Sequence, residues 1–333
     1  MSKPRILVAG GAGYIGSHIV KALVEKGYGV LVYDRNPIPR GLGGLRAGGL
    51  LDGVEADLAD KAALESAVRG FGPRAAINLA SYIAVGESVE DPAKYYSNNV
   101  VGGLGLLDAL LAGGVKCFVF SSSAAVYGMP QAVPIAEDHP TAPISPYGRT
   151  KWMFEQILRD YDAAYGLRSV SLRYFNAAGA DRSGEIGERH DPETHLIPLV
   201  LRVPLGLRDS VEIFGIDYPT RDGTCVRDYI HVTDLADAHV LAVEALLNGG
   251  PSDVFNLGNG DGYTVREVIA TAEEVVGSRI KTRDTPRRPG DPAMLVASSE
   301  KAIQKLAWQP KHSALKTIIR TAWQWHRREM DRE

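Results

Sequence analysis

The chain has 333 residues, 45% hydrophobic and 23% charged, with a formal net charge of -3. That balance gives no electrostatic case for nucleic-acid or membrane-surface binding, so an anionic ligand must meet a local basic site. Cys117 and Cys225 are the only cysteines, which suggests a reducing compartment, and no run of about 18 apolar residues is present to span a membrane.

The chain enters directly on Arg5-Ile6-Leu7-Val8-Ala9, with no charged, apolar and cleavage regions ahead of it. No signal peptide is expected, and the protein is expected in the cytoplasm. Strands near 4–9, 29–33, 52–56 and 75–79 alternate with helices near 14–26 and 60–69, predicting an α/β, Rossmann-like, doubly wound parallel sheet. A helical pattern near 92–112 leads to a strand at Cys117-Phe118-Val119-Phe120, a Pro-rich loop from Pro130 to Pro146, a helix near 147–165 and a strand near 168–174. A polar loop follows at 181–194, then an apolar helix from about 196 to 206 and a less regular remainder. Residues 1–180 are therefore expected to form a Rossmann-like nucleotide-binding domain. Residues 181–333 are expected to form a smaller α/β substrate lobe, from which a helical segment near 228–248 returns to the first domain.

Gly10-Gly11-Ala12-Gly13-Tyr14-Ile15-Gly16 follows the first strand and opens the first helix. In that context a glycine pattern becomes a dinucleotide fingerprint. Glycine lets the backbone turn tightly and approach a pyrophosphate, while the helix start at Tyr14-Ile15-Gly16 favours its negative charge. Asp34 ends the second strand, eighteen residues after Gly16, where a carboxylate bonds ribose hydroxyls and repels a 2′-phosphate. NAD is therefore expected rather than NADP.

Tyr147 and Lys151 stand four residues apart on one face of a helix. A phenol with a pKa of about 10 is a poor base at neutral pH; a neighbouring ammonium and a positive nicotinamide are expected to lower it. Ser121-Ser122-Ser123 closes the preceding strand, where sheet ends expose ligand-binding groups, and Ser123 is placed to relay a proton. Fingerprint, strand-end Ser and YxxxK in this order are the arrangement of short-chain dehydrogenases/reductases. Ser123, Tyr147 and Lys151 are the expected catalytic residues, and no metal site is expected.

The finer wording of the chain resembles the UDP-glucose 4-epimerases of the extended short-chain dehydrogenase/reductase family. The likeness runs through Gly10 to His18, Val85-Gly86-Glu87-Ser88, Tyr95 to Val100, Ser121 to Gly128 and Ser145 to Lys151. It continues through Leu172 to Asn176, Ile213-Phe214-Gly215, Asp217 to Thr220, Gly223 to Asp234 and Arg288 to Asp291. The resemblance implies a homodimer that oxidises C4 of a UDP-hexose with bound NAD and returns the hydride to the other face. Tyr147 and Ser123 would handle the C4 hydroxyl proton, and Lys151 would also bind the nicotinamide ribose. Asp57 and Leu58 would hold the adenine and Phe175 would lie beside the nicotinamide. Asn36, Leu79, Ala80, Ser81, Asn98, Ser121 and Tyr174 complete the implied cofactor set. Asn176, Arg227 and Asp291 would take the nucleotide sugar, with His195, Leu196, Ile213, Phe214, Arg288 and Leu295 around it.

Three positions depart from the family pattern. Ile83 replaces a Lys beside the cofactor, and His195 stands where many members have Asn. Leu295 falls where members restricted to plain hexoses carry a bulky Tyr, which extends the expectation to UDP-GlcNAc and UDP-GalNAc. Competing readings are a UDP-pentose 4-epimerase, a nucleotide-sugar 4,6-dehydratase or decarboxylase, and a non-catalytic NAD sensor. Dehydratases follow the strand-end Ser/Thr with an acid; here Ala124-Ala125 follows. No cation for a C6 carboxylate is evident, and a sensor has no need of an intact Ser, Tyr and Lys.

Overall fold

The run Ile6-Leu7-Val8-Ala9 is apolar at every position because the strand it forms is covered on both faces. The computed structural model describes residues 3–288 and 290–331, so Pro289 of the matched stretch at 288–291 lies outside the described residues. Seven strands form one parallel sheet: β1 (Arg5–Ala9), β2 (Gly29–Asp34), β3 (Leu51–Glu55), β4 (Ala75–Asn78), β5 (Cys117–Ser123), β6 (Arg168–Tyr174) and β7 (Asp253–Leu257). Their order is β7-β6-β5-β4-β1-β2-β3. The main helices, in chain order, are α1 (Tyr14–Glu25), α2 (Lys61–Phe71), α3 (Gly103–Ala112), α4 (Pro146–Tyr165), α5 (Leu196–Arg202), α6 (Val232–Leu247), α7 (Val265–Val276) and α8 (Leu315–Met330).

Successive residues of β1 serve opposite cores. Ile6 and Val8 pack with Ile19 and Leu23 of α1 and Leu235 and Val243 of α6. Leu7 and Ala9 pack with Leu64 and Val68 of α2, Leu106 and Leu110 of α3, and Phe154 and Leu158 of α4. The chain winds from β1 outward through β2 to β3, then returns to place β4 on β1's other side. The strand order therefore reverses at β1/β4, and open α/β sheets receive ligands beyond the strand ends at such a point.

Three expectations change. The helix near 92–112 is three pieces: Pro92–Tyr95, a π-helical turn at Tyr96–Gly102, and α3. Asn99 ties the widened turn to the loop after β4, its Oδ1 accepting the Tyr82 N–H at 2.9 Å and its Nδ2 donating to the Tyr82 carbonyl at 3.0 Å. The helix expected over 196–206 ends at Arg202, because Pro204 has no N–H to continue the ladder. The chain also returns to the sheet beyond 228–248: after α6 packs on α1, β7 adds an edge strand beside β6, with Phe255 opposite Leu172. The rest of the second half gathers α5, α7 and α8 around Val200, Leu201, Val268, Ile269, Ile318 and Ile319.

Ser145 caps α4, its Oγ accepting the Gly148 N–H at 3.1 Å, and Pro146 fills the first helical position. A helical repeat of 3.6 puts Tyr147, Lys151 and Glu155 on one buried face. Glu155 meets the Arg173 guanidinium of β6, with Nε donating at 2.9 Å, and the Ser122 hydroxyl of β5. This buried pair sets α4 against the strands whose ends carry the serines. Glu155→Ala would leave the Arg173 charge buried without a counter-ion, so urea unfolding is expected to show a loss of about 3–5 kcal/mol.

Candidate active site

Gly10 turns the chain out of β1 at φ +79°, and a Cβ there would lie 2.6 Å from the Ala80 nitrogen. At Gly16 a Cβ would lie 2.1 Å from the Gly10 carbonyl oxygen. These glycines hold the loop, the start of α1 and the end of β4 in contact. Gly13 caps α1 with no side-chain bond, and the first turn carries no acidic residue. The helix start thus presents its dipole to an anion rather than to one of its own carboxylates. Asp34, at the end of β2, braces this loop: its Oδ2 accepts the Ala12 N–H at 3.0 Å and its Oδ1 accepts the Asn36 N–H at 2.9 Å. An uncapped helix start over a glycine cradle, flanked by a strand-end carboxylate, fits a dinucleotide.

The other expected cofactor residues fall along the same sheet edge. Leu79, Ala80 and Ser81 follow β4, and Asp57 and Leu58 follow β3. Asp57 accepts the Ala59 N–H at 2.9 Å, while Leu58 is buried against Gly102. Asn98 donates to Asn99 Oδ1 at 2.9 Å in the π-helical turn. Ser121 bonds the Tyr174 hydroxyl, linking the ends of β5 and β6. Phe175 packs, as do Leu295 and Trp152, against the buried cluster of Val126, Tyr127 and Ile135. Ile83 is exposed.

Lys151 is only 2% exposed, and its Nζ donates to Ser81 Oγ at 2.9 Å and to the Ser121 carbonyl at 2.7 Å. Burial pushes this amine down to about 7. Its Nζ lies 5.8 Å from the centre of the Tyr147 ring. Burial raises the Tyr147 phenol, opposed by its hydrogen bond with Ser123. A lowered phenol is expected from the lysine together with a positive nicotinamide; in the chain alone, desolvation of the phenolate outweighs a lysine that is itself pushed toward neutrality. Ser123 Oγ also accepts the Ala125 N–H at 3.1 Å, which holds the serine at the strand end.

The second half contributes a cavity of about 340 Å³. Of the expected sugar-nucleotide residues, Asn176, His195, Leu196, Phe214, Arg227, Arg288 and Asp291 line it. Ile213 does not, because alternation along Val211–Phe214 buries Ile213 in the lobe core and turns Phe214 outward. Leu295 packs in the Phe175 cluster instead. Arg227 pairs with Asp291, and the Arg288 guanidinium sits 3.8 Å over the Phe214 ring. Asn176 Nδ2 donates to the Asp228 carbonyl at 2.9 Å.

Two contributions escaped sequence reasoning. Asp228 is fully buried and accepts the N–H groups of Asn259 at 2.6 Å, Gly260 at 3.0 Å and Ala297 at 3.0 Å. It ties the loop at 259–260 and the segment at 297 to its own stretch of chain, and burial raises its carboxyl. Glu188 and Glu193 line the cavity beside His195. The two carboxylates, Glu188 first, raise His190 to about 9. Burial opposes the same carboxylates at His195, yet they raise it to about 10. The only sequence signal is the spacing Glu188-x-His190-x2-Glu193-x-His195.

Residues 6–258 match the NAD dependent epimerase/dehydratase family. A UDP-glucose 4-epimerase of Rhizobium meliloti is 52% identical over 328 residues, covering 98% of each chain. Among solved structures, a UDP-glucose-4-epimerase from Stenotrophomonas maltophila, with bound NAD and formylated UDP-arabinopyranose, superposes with a TM-score of 0.95. It is 39% identical and covers 99% of this chain and 100% of its own. A UDP-glucose 4-epimerase from Brucella ovis in complex with NAD gives a TM-score of 0.92 at 48% identity, covering 96% and 98%.

Two outcomes test this geometry. Gly10→Ala, which forces a Cβ against Ala80 at positive φ, is expected to abolish NAD binding in calorimetry. The Lys151 amine has a folded pKa of about 7 against about 10.4 unfolded, so the unfolded chain binds more protons between those values and stability rises with pH across that window. Lys151→Met should therefore raise the melting temperature of cofactor-free protein more at pH 6 than at pH 9. Equal gains would contradict the buried-amine reading.

Proposed function

The chain belongs to the NAD dependent epimerase/dehydratase family, and from that premise we propose that it interconverts UDP-glucose and UDP-galactose by transient oxidation at C4. The single observation that carries this reading over its neighbours is the strand end itself: Ser123 bonded to Tyr147, followed by Ala124 and Ala125 where a lyase needs an acid.

NAD, when bound, supplies a reversible hydride acceptor for C4. Gly10, Gly13 and the α1 start would hold its pyrophosphate, Asp34 its adenosine ribose, and Lys151 its nicotinamide ribose. Tyr147 takes the proton from the C4 hydroxyl, with Ser123 bridging phenol and sugar oxygen, and later returns it. The Tyr147 phenol is raised by burial, so proton uptake by its phenolate is strongly favoured once a positive charge nearby has made that phenolate accessible. Arg227 and Arg288 suit the diphosphate, and Asn176, His195 and Asp291 suit the nucleotide and sugar hydroxyls. Held at the diphosphate, the keto sugar can turn and present its other face, which inverts C4. Acceptance of UDP-GlcNAc and UDP-GalNAc belongs to this reading on the strength of a Leu at 295 in place of a Tyr, although Leu295 packs in the Phe175 cluster and not on the cavity wall. The division of labour in this reading follows the chain, with residues 1–180 holding the cofactor and 181–333 the sugar nucleotide.

A cytoplasmic homodimer belongs to the same reading. Val89, Val101 and Met153 expose 63%, 61% and 42% of their surface on the adjoining helical segments 85–102 and α4, and a second copy laid against this face would cover them. Among the described residues no helix is long and apolar enough to cross a membrane.

Proton NMR of purified protein with UDP-galactose and no added NAD should show the anomeric signal of UDP-glucose. Tyr147→Phe should lower kcat by about 10²–10⁴. No conversion with or without NAD, or a 4-keto-6-deoxy product, would overturn the assignment. Undetectable turnover of both N-acetyl sugars would remove that extension alone. Analytical ultracentrifugation should give twice the 35.9 kDa chain mass, reduced to one chain by Val101→Asp.

A further inference from the structure

The loop over 188–195 brings four donor groups together at the wall of the cavity. Glu188, His190, Glu193 and His195 each offer one ligand atom, all within 4.8 Å of one another. The individual edges are short: His195 Nδ1 lies 2.9 Å from Glu188 Oε1 and 3.1 Å from Glu193 Oε1. His190 Nδ1 lies 3.2 Å from Glu188 Oε1 and 3.7 Å from Glu193 Oε2. Donors about 2.0–2.1 Å from a tetrahedral zinc ion stand about 3.3 Å apart, within the spread of these edges.

Two buried atoms without a hydrogen-bond partner among the described residues, Glu193 Oε2 and His190 Nδ1, separate this cluster from a plain pair of ion bridges. Glu193 is 8% exposed, and its Oε2 is buried without a hydrogen-bond partner among the described residues. Its neighbour at 3.7 Å, His190 Nδ1, is too far for a hydrogen bond and well placed as a second ligand of a shared ion. An unpaired buried carboxylate oxygen costs free energy that a cation would recover. Two imidazoles and two carboxylates are the mixed nitrogen and oxygen set that suits Zn²⁺, whereas calcium and magnesium take oxygen ligands. Two carboxylates also neutralise a divalent charge.

We propose that Glu188, His190, Glu193 and His195 form a structural binding site for a divalent transition-metal ion of the zinc type. The ion would fasten the loop that lines the sugar-nucleotide cavity. The loop also abuts the fingerprint helix, the His190 ring lying 6.4 Å from Tyr14 edge to face, so the metal would join the cavity wall to the start of α1. Tyr14 is not a ligand, since its hydroxyl donates to the Gly179 carbonyl at 2.6 Å.

The test is read by metal rather than by turnover, so it stands apart from the substrate assignment. Enzyme dialysed against chelator, with its NAD retained, is titrated with Zn²⁺ by calorimetry and with Co²⁺ by visible absorption. One equivalent per chain and the intense bands of four-coordinate Co²⁺ are expected. His190→Ala and the isosteric Glu193→Gln, each verified as folded by circular dichroism, should weaken Zn²⁺ by more than about 100-fold, beyond the loss of an outer partner of a metal ligand. If the alanine variant does not fold, the glutamine variant decides. No saturable Zn²⁺ binding to the unaltered enzyme, or unchanged affinity in the folded variants, overturns the proposal.

Discussion

The site depends on one amine taken out of water. Lys151 lies beneath the surface with a serine hydroxyl and a carbonyl as its hydrogen-bond acceptors, and everything around it maintains that position. Ser81 arrives from the loop after β4, the Ser121 carbonyl from the end of β5, and Tyr147 from one turn earlier in α4. One turn later in α4, Glu155 locks the helix to β5 and β6 through Ser122 and Arg173. The chain therefore holds an amine in a place where burial drives it toward neutrality, and an added positive charge alongside a phenol has a large effect in such a medium.

The rest of the fold delivers ligands to that point. β1 and β4 part where the strand order reverses, and Gly10 and Gly16 keep the opening tight enough for backbone to meet a pyrophosphate. Across the cleft, the Asp228 carboxylate ties the loop at 259–260 to the segment at 297, so the arginine before it lines the cavity while the aspartate faces inward. Arg227 and Asp291 neutralise each other in the chain alone. On the proposed reading, a diphosphate would compete with Asp291 for Arg227.

Much of this was legible in the sequence. The apolar runs of β1 and β5 and the 3.6-residue spacing of α4 predict their elements to within a few residues, and the glycine fingerprint, Asp34, Ser123, Tyr147 and Lys151 follow from position on those elements. What was not legible rests on contacts between distant segments. The π-helical turn depends on Asn99 reaching Tyr82, and the edge strand β7 is a short run recognisable only beside β6. Spacing suggested that Lys151, together with a positive nicotinamide, lowers the Tyr147 phenol, and it could not reveal that both groups are desolvated together. Nor could it show that Ile213 turns inward while Phe214 turns out, or that two glutamates and two histidines of one loop converge.

The central claim is that the hydrogen leaving C4 of the sugar returns to C4. It is tested most directly with UDP-galactose deuterated at C4, turned over in ordinary water and followed by NMR and mass spectrometry, with the unlabelled sugar run in heavy water alongside. The account predicts that the label stays at C4 of the UDP-glucose formed and that no solvent deuterium enters there. Loss of the label, or entry of solvent deuterium at C4, would contradict it.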